Sequence, residues 1–162
     1  MGTELGGSGG LSDAEIRGLV EALDDEYLAH ATYEQVLADF GEDALPFANI
    51  VEAEARHIGA LLRVFSHHGL PVPDNPWPGR VPRFESVADA CRAGVDAEVA
   101  NAALYDRLLT TTERPEMLEV YRNLQRASQE NHLPAFRRCA ERSAGGRGGE
   151  GGRQARRRGG RG

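Results

Sequence analysis

The 162-residue chain has no lysine, two cysteines, one tryptophan and 6% aromatic residues. Each scarcity excludes something. Two cysteines, Cys91 and Cys139, are too few for the disulfide framework of small secreted domains, so a packed core must hold the fold. No apolar run approaches the ~18 residues that a membrane-spanning helix requires. The opening stretch from Met1 to Gly10 has neither a basic start nor an apolar segment, so no signal peptide is expected and the reading is cytoplasmic. No alternating apolar pattern suggests a strand.

Arginine supplies all 19 basic side chains against 25 acids, for a net charge of −6. That balance is uneven. Residues 143–162 carry six arginines and one acid, a charge of +5, whereas residues 1–142 carry thirteen arginines and twenty-four acids, a charge of −11. The acidic body argues against nucleic acid as the main partner and suits cations. The tail holds nine glycines, can build no core, and would touch nucleic acid only non-specifically through charge. Residues 1–11 and 143–162 are therefore expected to be disordered around a folded domain at 12–142. Expected partners are metal ions and no membrane, with a homodimer also open.

Four long helical patterns occupy that domain. The first begins at a capping box, Ser12-Asp13-Ala14-Glu15, and ends at Gly41. The second runs from about Ala44 to His68, with Pro46 in its first turn. The third opens on Ser86 and reaches about Thr112, and the fourth has Pro115 at its first position and extends to about Arg142. Helices one and two, and helices three and four, are joined tightly and must be antiparallel neighbours. Between the pairs, Leu70 to Phe84 carries prolines at 71, 73, 76, 78 and 82 and cannot be helical. At ~3.3 Å per residue it is long enough to run the length of the bundle. The expected fold is all-α: a four-helix bundle of two antiparallel hairpins joined by a long Pro-rich crossover.

Steps of three and four trace one buried face per helix. Helix one gives Ile16, Leu19, Leu23, Glu26, His30, Tyr33, Leu37 and Phe40. Helix two gives Phe47, Ile50, Glu54, His57, Leu61, Val64 and His68. Helix three gives Val87, Cys91, Gly94, Glu98, Asn101, Tyr105 and Leu108, and helix four gives Leu118, Tyr121, Gln125, Ser128, His132, Ala135 and Cys139. Every face is apolar toward its ends and polar in the middle. In the two-hairpin arrangement Glu26, Glu54, His57, Glu98 and His132 fall at similar heights. An unpaired buried carboxylate costs several kcal/mol, a large share of the ~5–15 kcal/mol by which a domain is stable. No arginine occupies these central positions. A bound cation resolves the conflict, and carboxylates with imidazoles suit iron, manganese or zinc. Glu54-Ala55-Arg56-His57 is a Glu-x-x-His step that aims two ligands inward from one helix.

These residues resemble the ferritin-like superfamily and, more narrowly, the prokaryotic family called domain of unknown function 2202. The matching stretches are Asp25-Glu26-Tyr27-Leu28-Ala29 with Tyr33, Asn49-Ile50 followed by Glu54 and His57, Gly69-Leu70-Pro71, and Asn131-His132-Leu133 with Ala135-Phe136. They span roughly residues 14–140. The resemblance implies a ferritin-like bundle with an iron site of one or two ions per chain and a possible ferroxidase or other iron-dependent oxidoreductase activity. In the superfamily's di-iron pattern two helices each give a Glu and two each give Glu-x-x-His. Carried over, Glu26 and Glu98 are the single carboxylates and Glu54 with His57 the first pair. The second pair departs: Gln129, three residues before His132, stands in the Glu position as a candidate ligand with only a neutral carbonyl oxygen to offer, and Glu130 points about 200° round a regular helix. Pro134, which frees the carbonyl of Glu130, is expected to kink helix four and could turn Glu130 inward. His30, one turn after Glu26, is a weaker additional ligand. Tyr33 and Tyr105 could hydrogen-bond ligands or carry a radical, but are expected as ordinary core tyrosines. Cys91 and Cys139 fall at one height about two turns from the site, where a cytoplasmic setting would keep them reduced. The alternative to a metal protein is a non-redox interaction module whose polar layer is a vestige.

Overall fold

The computed structural model describes residues 10–142; the expectations for residues 1–9 and for the tail at 143–162 lie outside them. Four helices carry the fold: α1 (Asp13–Phe40), α2 (Phe47–His67), α3 (Val87–Leu108) and α4 (Pro115–Ala127). A π-helical turn, Ser128–His132, follows α4 directly, and the chain continues as a final helix, α5, over residues 133–142. No strand occurs among the described residues. No helix of theirs is long and apolar enough to cross a membrane.

Local chemistry sets the helix starts. The Ser12 hydroxyl accepts from the Glu15 amide at 3.0 Å and the Glu15 carboxylate accepts from the Ser12 amide at 2.8 Å, a reciprocal cap. Ser86 caps α3 by accepting from the Asp89 amide. The second helix begins at Phe47, later than the expected Ala44, after a cis Leu45–Pro46 peptide.

Two apolar clusters fix the topology. One gathers Leu11, Leu19, Phe65, Leu108 and Met117, bringing together the start of α1, the ends of α2 and α3, and the start of α4. The other gathers Val36, Phe47, Cys91, Phe136 and Cys139, bringing together the end of α1, the starts of α2 and α3, and α5. The helices therefore run up, down, down and up, as the two-hairpin reading expects. Residues 68–86 make the crossover along α1. Trp77 donates its indole N–H to Asp24 at 2.9 Å, and Arg83 forks onto Asp39, fifteen residues or ~22 Å further along that helix. Leu11, assigned by sequence to the N-terminal segment, is buried in the first cluster, so the folded part includes it. At the other end α3 and α5 approach so closely that a Cβ on Gly94 would stand 2.8 Å from the Phe136 ring. Between the two clusters lies a polar layer.

Candidate metal centre

Helices α1, α2 and α3 and the π-turn contribute to that layer. Glu26 comes from α1, Glu54 and His57 from α2, Glu98 from α3 and His132 from the π-turn. The three carboxylate residues are each no more than 2% exposed, and His132 is 3% exposed. His57 Nδ1 lies 3.1 Å from Glu26 Oε1 and 3.4 Å from Glu54 Oε2. His132 Nδ1 lies 3.3 Å from Glu54 Oε1 and 3.1 Å from Glu98 Oε1. The two imidazoles stack with centroids 5.4 Å apart. The residues form two groups, Glu26–Glu54–His57 and Glu54–Glu98–His132, in each of which one ligand atom per residue lies within 4.8 Å of the others. Glu54 belongs to both, with one oxygen toward each histidine.

A ring of polar side chains orients the carboxylates. Tyr33 donates its hydroxyl to Glu98 Oε2 at 2.7 Å. Asn101 donates to Asp25 at 2.6 Å and to Glu26 Oε2 at 3.1 Å, and its carbonyl accepts from Ser128 at 2.5 Å. Such partners fix ligand orientation in metal sites. Glu54 Oε2 is the exception: it is buried and makes no hydrogen bond. Its 3.4 Å separation from His57 Nδ1 is an ion-pair distance without hydrogen-bond alignment. A bare carboxylate oxygen in a dry interior is costly unless something positive meets it.

The titration behaviour shows how the protein alone balances these charges. Burial, reinforced by the Glu54 charge, pushes the Glu26 carboxyl up to about 8. Burial disfavours a charged imidazole, but the neighbouring Glu26 and Glu54 outweigh it and raise His57 to about 10. The same contest, won by Glu54 and Glu98, raises His132 to about 9. Despite its own burial, Glu54 is held below the usual carboxylate range by His132 and His57. Burial and the Glu98 and Glu54 charges push the Tyr33 hydroxyl well above its ordinary value. Protons on these groups thus offset the buried carboxylate charge.

The structure brings Glu26, Glu54, His57, Glu98 and His132 together and leaves three other candidates outside. Gln129 and Glu130 are exposed, and Glu130 lies 3.7 Å from Arg126 on the surface. His30 is partly buried and faces Glu34 at 3.5 Å. The π-turn explains Gln129. Pro134 has no N–H to offer the preceding turn. The helix widens there, and the Leu133 amide reaches back to Ser128, five residues rather than four. In a wider turn three residues fall well short of one revolution. Ser128, four before His132, therefore takes the inward position, and Gln129 swings out. The kink expected from Pro134 exists as this π-turn, but it does not turn Glu130 inward.

Sequence reasoning assigned no role to Asn101 or Asp25; Tyr33, expected as core, bonds Glu98, which was its alternative role. The available signal was Asn101's place one turn after Glu98 on the same face. The cysteines need a correction too. Cys91 and Cys139 form a disulfide, with Cα atoms 6.0 Å apart, where reduced thiols were expected. Their equal height permits the bond; the expectation of reduced thiols came from the cytoplasmic reading alone.

No family model matches the chain. It is similar to the uncharacterized protein MJ0754 of Methanocaldococcus jannaschii, with 28% identity over 142 residues, covering 78% of this chain and 75% of that protein. The crystal structure of the hypothetical protein MJ0754 superposes with a TM-score of 0.74, covering 83% of this chain and 84% of that one. Over the superposed residues the identity is 24%, lower than in the sequence alignment. The likeness supports the fold and brings no assigned activity with it.

Proposed function

We propose that this chain is a ferritin-like metal-binding protein, akin to the domain of unknown function 2202 family. Its ion or ions, with iron first and manganese or zinc as alternatives, would be held by Glu26, Glu54, His57, Glu98 and His132. One observation carries the proposal: three buried glutamates from three helices converge with two histidines, and Glu54 keeps a buried oxygen without a hydrogen bond. The donor set fits, because mixed carboxylate and imidazole sites suit these metals. Glu54 would be shared between two positions, Glu26 with His57 would complete one, and Glu98 with His132 the other. When bound there, iron would supply one-electron chemistry toward dioxygen or peroxide. The chain's own task is to give up protons from His57, His132 and Glu26 as ligands are recruited, to hold Glu98 in place through Tyr33, and to keep the site dry between two apolar clusters.

Metal analysis of protein from iron-supplied cells tests this. We expect about one to two ions per chain, regained on anaerobic ferrous addition after chelation. An absorbance change on admitting air would support oxidation as well as binding. Less than ~0.2 equivalents with no gain on ferrous addition would overturn the proposal.

A second reading has one observation in its favour. With His57 and His132 raised to about 10 and about 9, the layer can neutralise itself with protons alone. The chain would then be a non-redox interaction module. Removing a layer carboxylate would then change no metal content.

A further inference from the structure

A cavity of about 290 Å³ opens between α1 and α3, beside the acidic layer. Leu28, Ala29, Phe84, Ala93 and Ala97 give it an apolar body, with Pro82 from the crossover at its edge. Alanine at positions 90, 93, 97 and 100 of α3 leaves room that larger side chains would fill. Glu98 and Tyr33 also line it, and each is 2% exposed, so the cavity reaches the inner layer. An apolar cavity of ~150 Å³ holds one benzene molecule. This one has space for an aliphatic molecule of roughly ten heavy atoms.

The polar side chains on its wall are selective in a way that can be counted. Tyr33 spends its O–H on Glu98. Both protons of the Asn101 amide go to Asp25 and Glu26. Thr32 donates to the Leu28 carbonyl at 2.7 Å. Asp25 and Glu98 already act as acceptors, from Asn101 and from Tyr33. The side-chain donors on the wall are therefore committed, while carboxylate oxygens and the Tyr33 oxygen retain acceptor capacity. A guest that brings another acceptor, such as a carboxylate or phosphate, meets no free donor and two acids. A guest that brings a donor is satisfied.

We infer that this cavity binds a small, chiefly aliphatic molecule whose polar end donates hydrogen bonds, an alcohol or a protonated amine, with that end toward Glu98 and Tyr33. The inference rests on the metal-centre reading in one respect: that reading makes the guest a substrate, whereas binding itself needs only the cavity.

Calorimetric titration of the full chain, metal-loaded and metal-free, with 1-octanol, 1-octylamine and octanoate tests it. Octanol and octylamine should bind, and octanoate should bind at least about tenfold more weakly, the size of one unpaired buried polar group. Ala93→Phe fills the cavity and should weaken octanol and octylamine about tenfold or more. Ala97→Leu, at the exposed rim, is the milder second variant if the first misfolds. Metal content should be unchanged in both. No binding of octanol or octylamine, octanoate binding as tightly as they do, or undiminished binding in both variants at wild-type melting temperature would overturn the inference. Failure of the metal proposal is read separately, in the metal analysis, and leaves the metal-free titrations interpretable.

Discussion

Two glutamates of α1, eleven residues apart, are both buried and are handled in opposite ways. Glu15 sits at the end of the bundle with its needs met by the protein. It accepts from the Ser12 amide, from the Thr112 hydroxyl at 2.6 Å and from Arg114 at 3.1 Å. These partners overcome burial and hold its carboxyl below the ordinary range. Glu26, in the middle, has no guanidinium, only His57, Asn101 and the nearby Glu54, and its carboxyl is pushed up to about 8. Permanent positive charge is thus supplied where an acid serves architecture. In the layer the counter-charge is left to protons, which can be exchanged. Glu15 has an arginine of its own, whereas the acids of the layer share two imidazoles.

That contrast can be broken by exchanging the two kinds of acid for alanine. Glu54→Ala should abolish metal uptake at both positions, because Glu54 is the residue that both groups share. Retained metal would place the ions elsewhere. Glu15→Ala should do the reverse. It should lower stability by about 2–3 kcal/mol in urea unfolding, through loss of a helix cap and a buried charged hydrogen bond, with metal content untouched.

Within the layer, Tyr33→Phe removes the hydroxyl that positions Glu98. Metal affinity should fall about tenfold to a hundredfold by competition with a chelator, and more in the Glu98–His132 half than in the Glu26–His57 half. An equal loss in both halves would argue that Tyr33 acts only through packing.

Acid titration sharpens the comparison further. The folded carboxyl of Glu15 lies below its ordinary 4.5. Its contribution to stability is therefore fully present above about pH 4.5 and is lost as the pH falls from there through the depressed value. Glu15→Gln should flatten the stability profile of the metal-free protein in that window and leave the neutral region unaltered in slope. The smallest effect is expected at Gly94→Ala. The Phe136 ring must shift to admit a methyl group, which costs about 1–3 kcal/mol, and the better helix propensity of alanine returns up to about 1.

The layer was legible because its residues obey helical spacing. Glu26, Glu54, His57, Glu98 and His132 stand on apolar faces of regular or nearly regular helices, and the Pro-rich crossover is long enough to let α2 and α3 run parallel. What was not legible depended on departures from spacing or on partners distant in sequence. Gln129 looked like a ligand because three residues make almost one turn of a regular helix, and Pro134 gave no indication that the turn before it would widen. Asn101 bonds Asp25 and Glu26 across more than seventy positions of sequence, and nothing in its neighbours announces that. Cys91 and Cys139 were at matching heights, but redox state is not encoded by height.

The bond between those cysteines gives the second half of the molecule a property that the first lacks. It joins residues 48 apart and so encloses most of α3, all of α4 and the turn joining them in a closed covalent circuit. A protease that cut the chain once anywhere inside that circuit would leave both pieces tethered. The nicked protein should migrate as a single species until a reductant is added, whereas a cut in the Pro-rich crossover should release two.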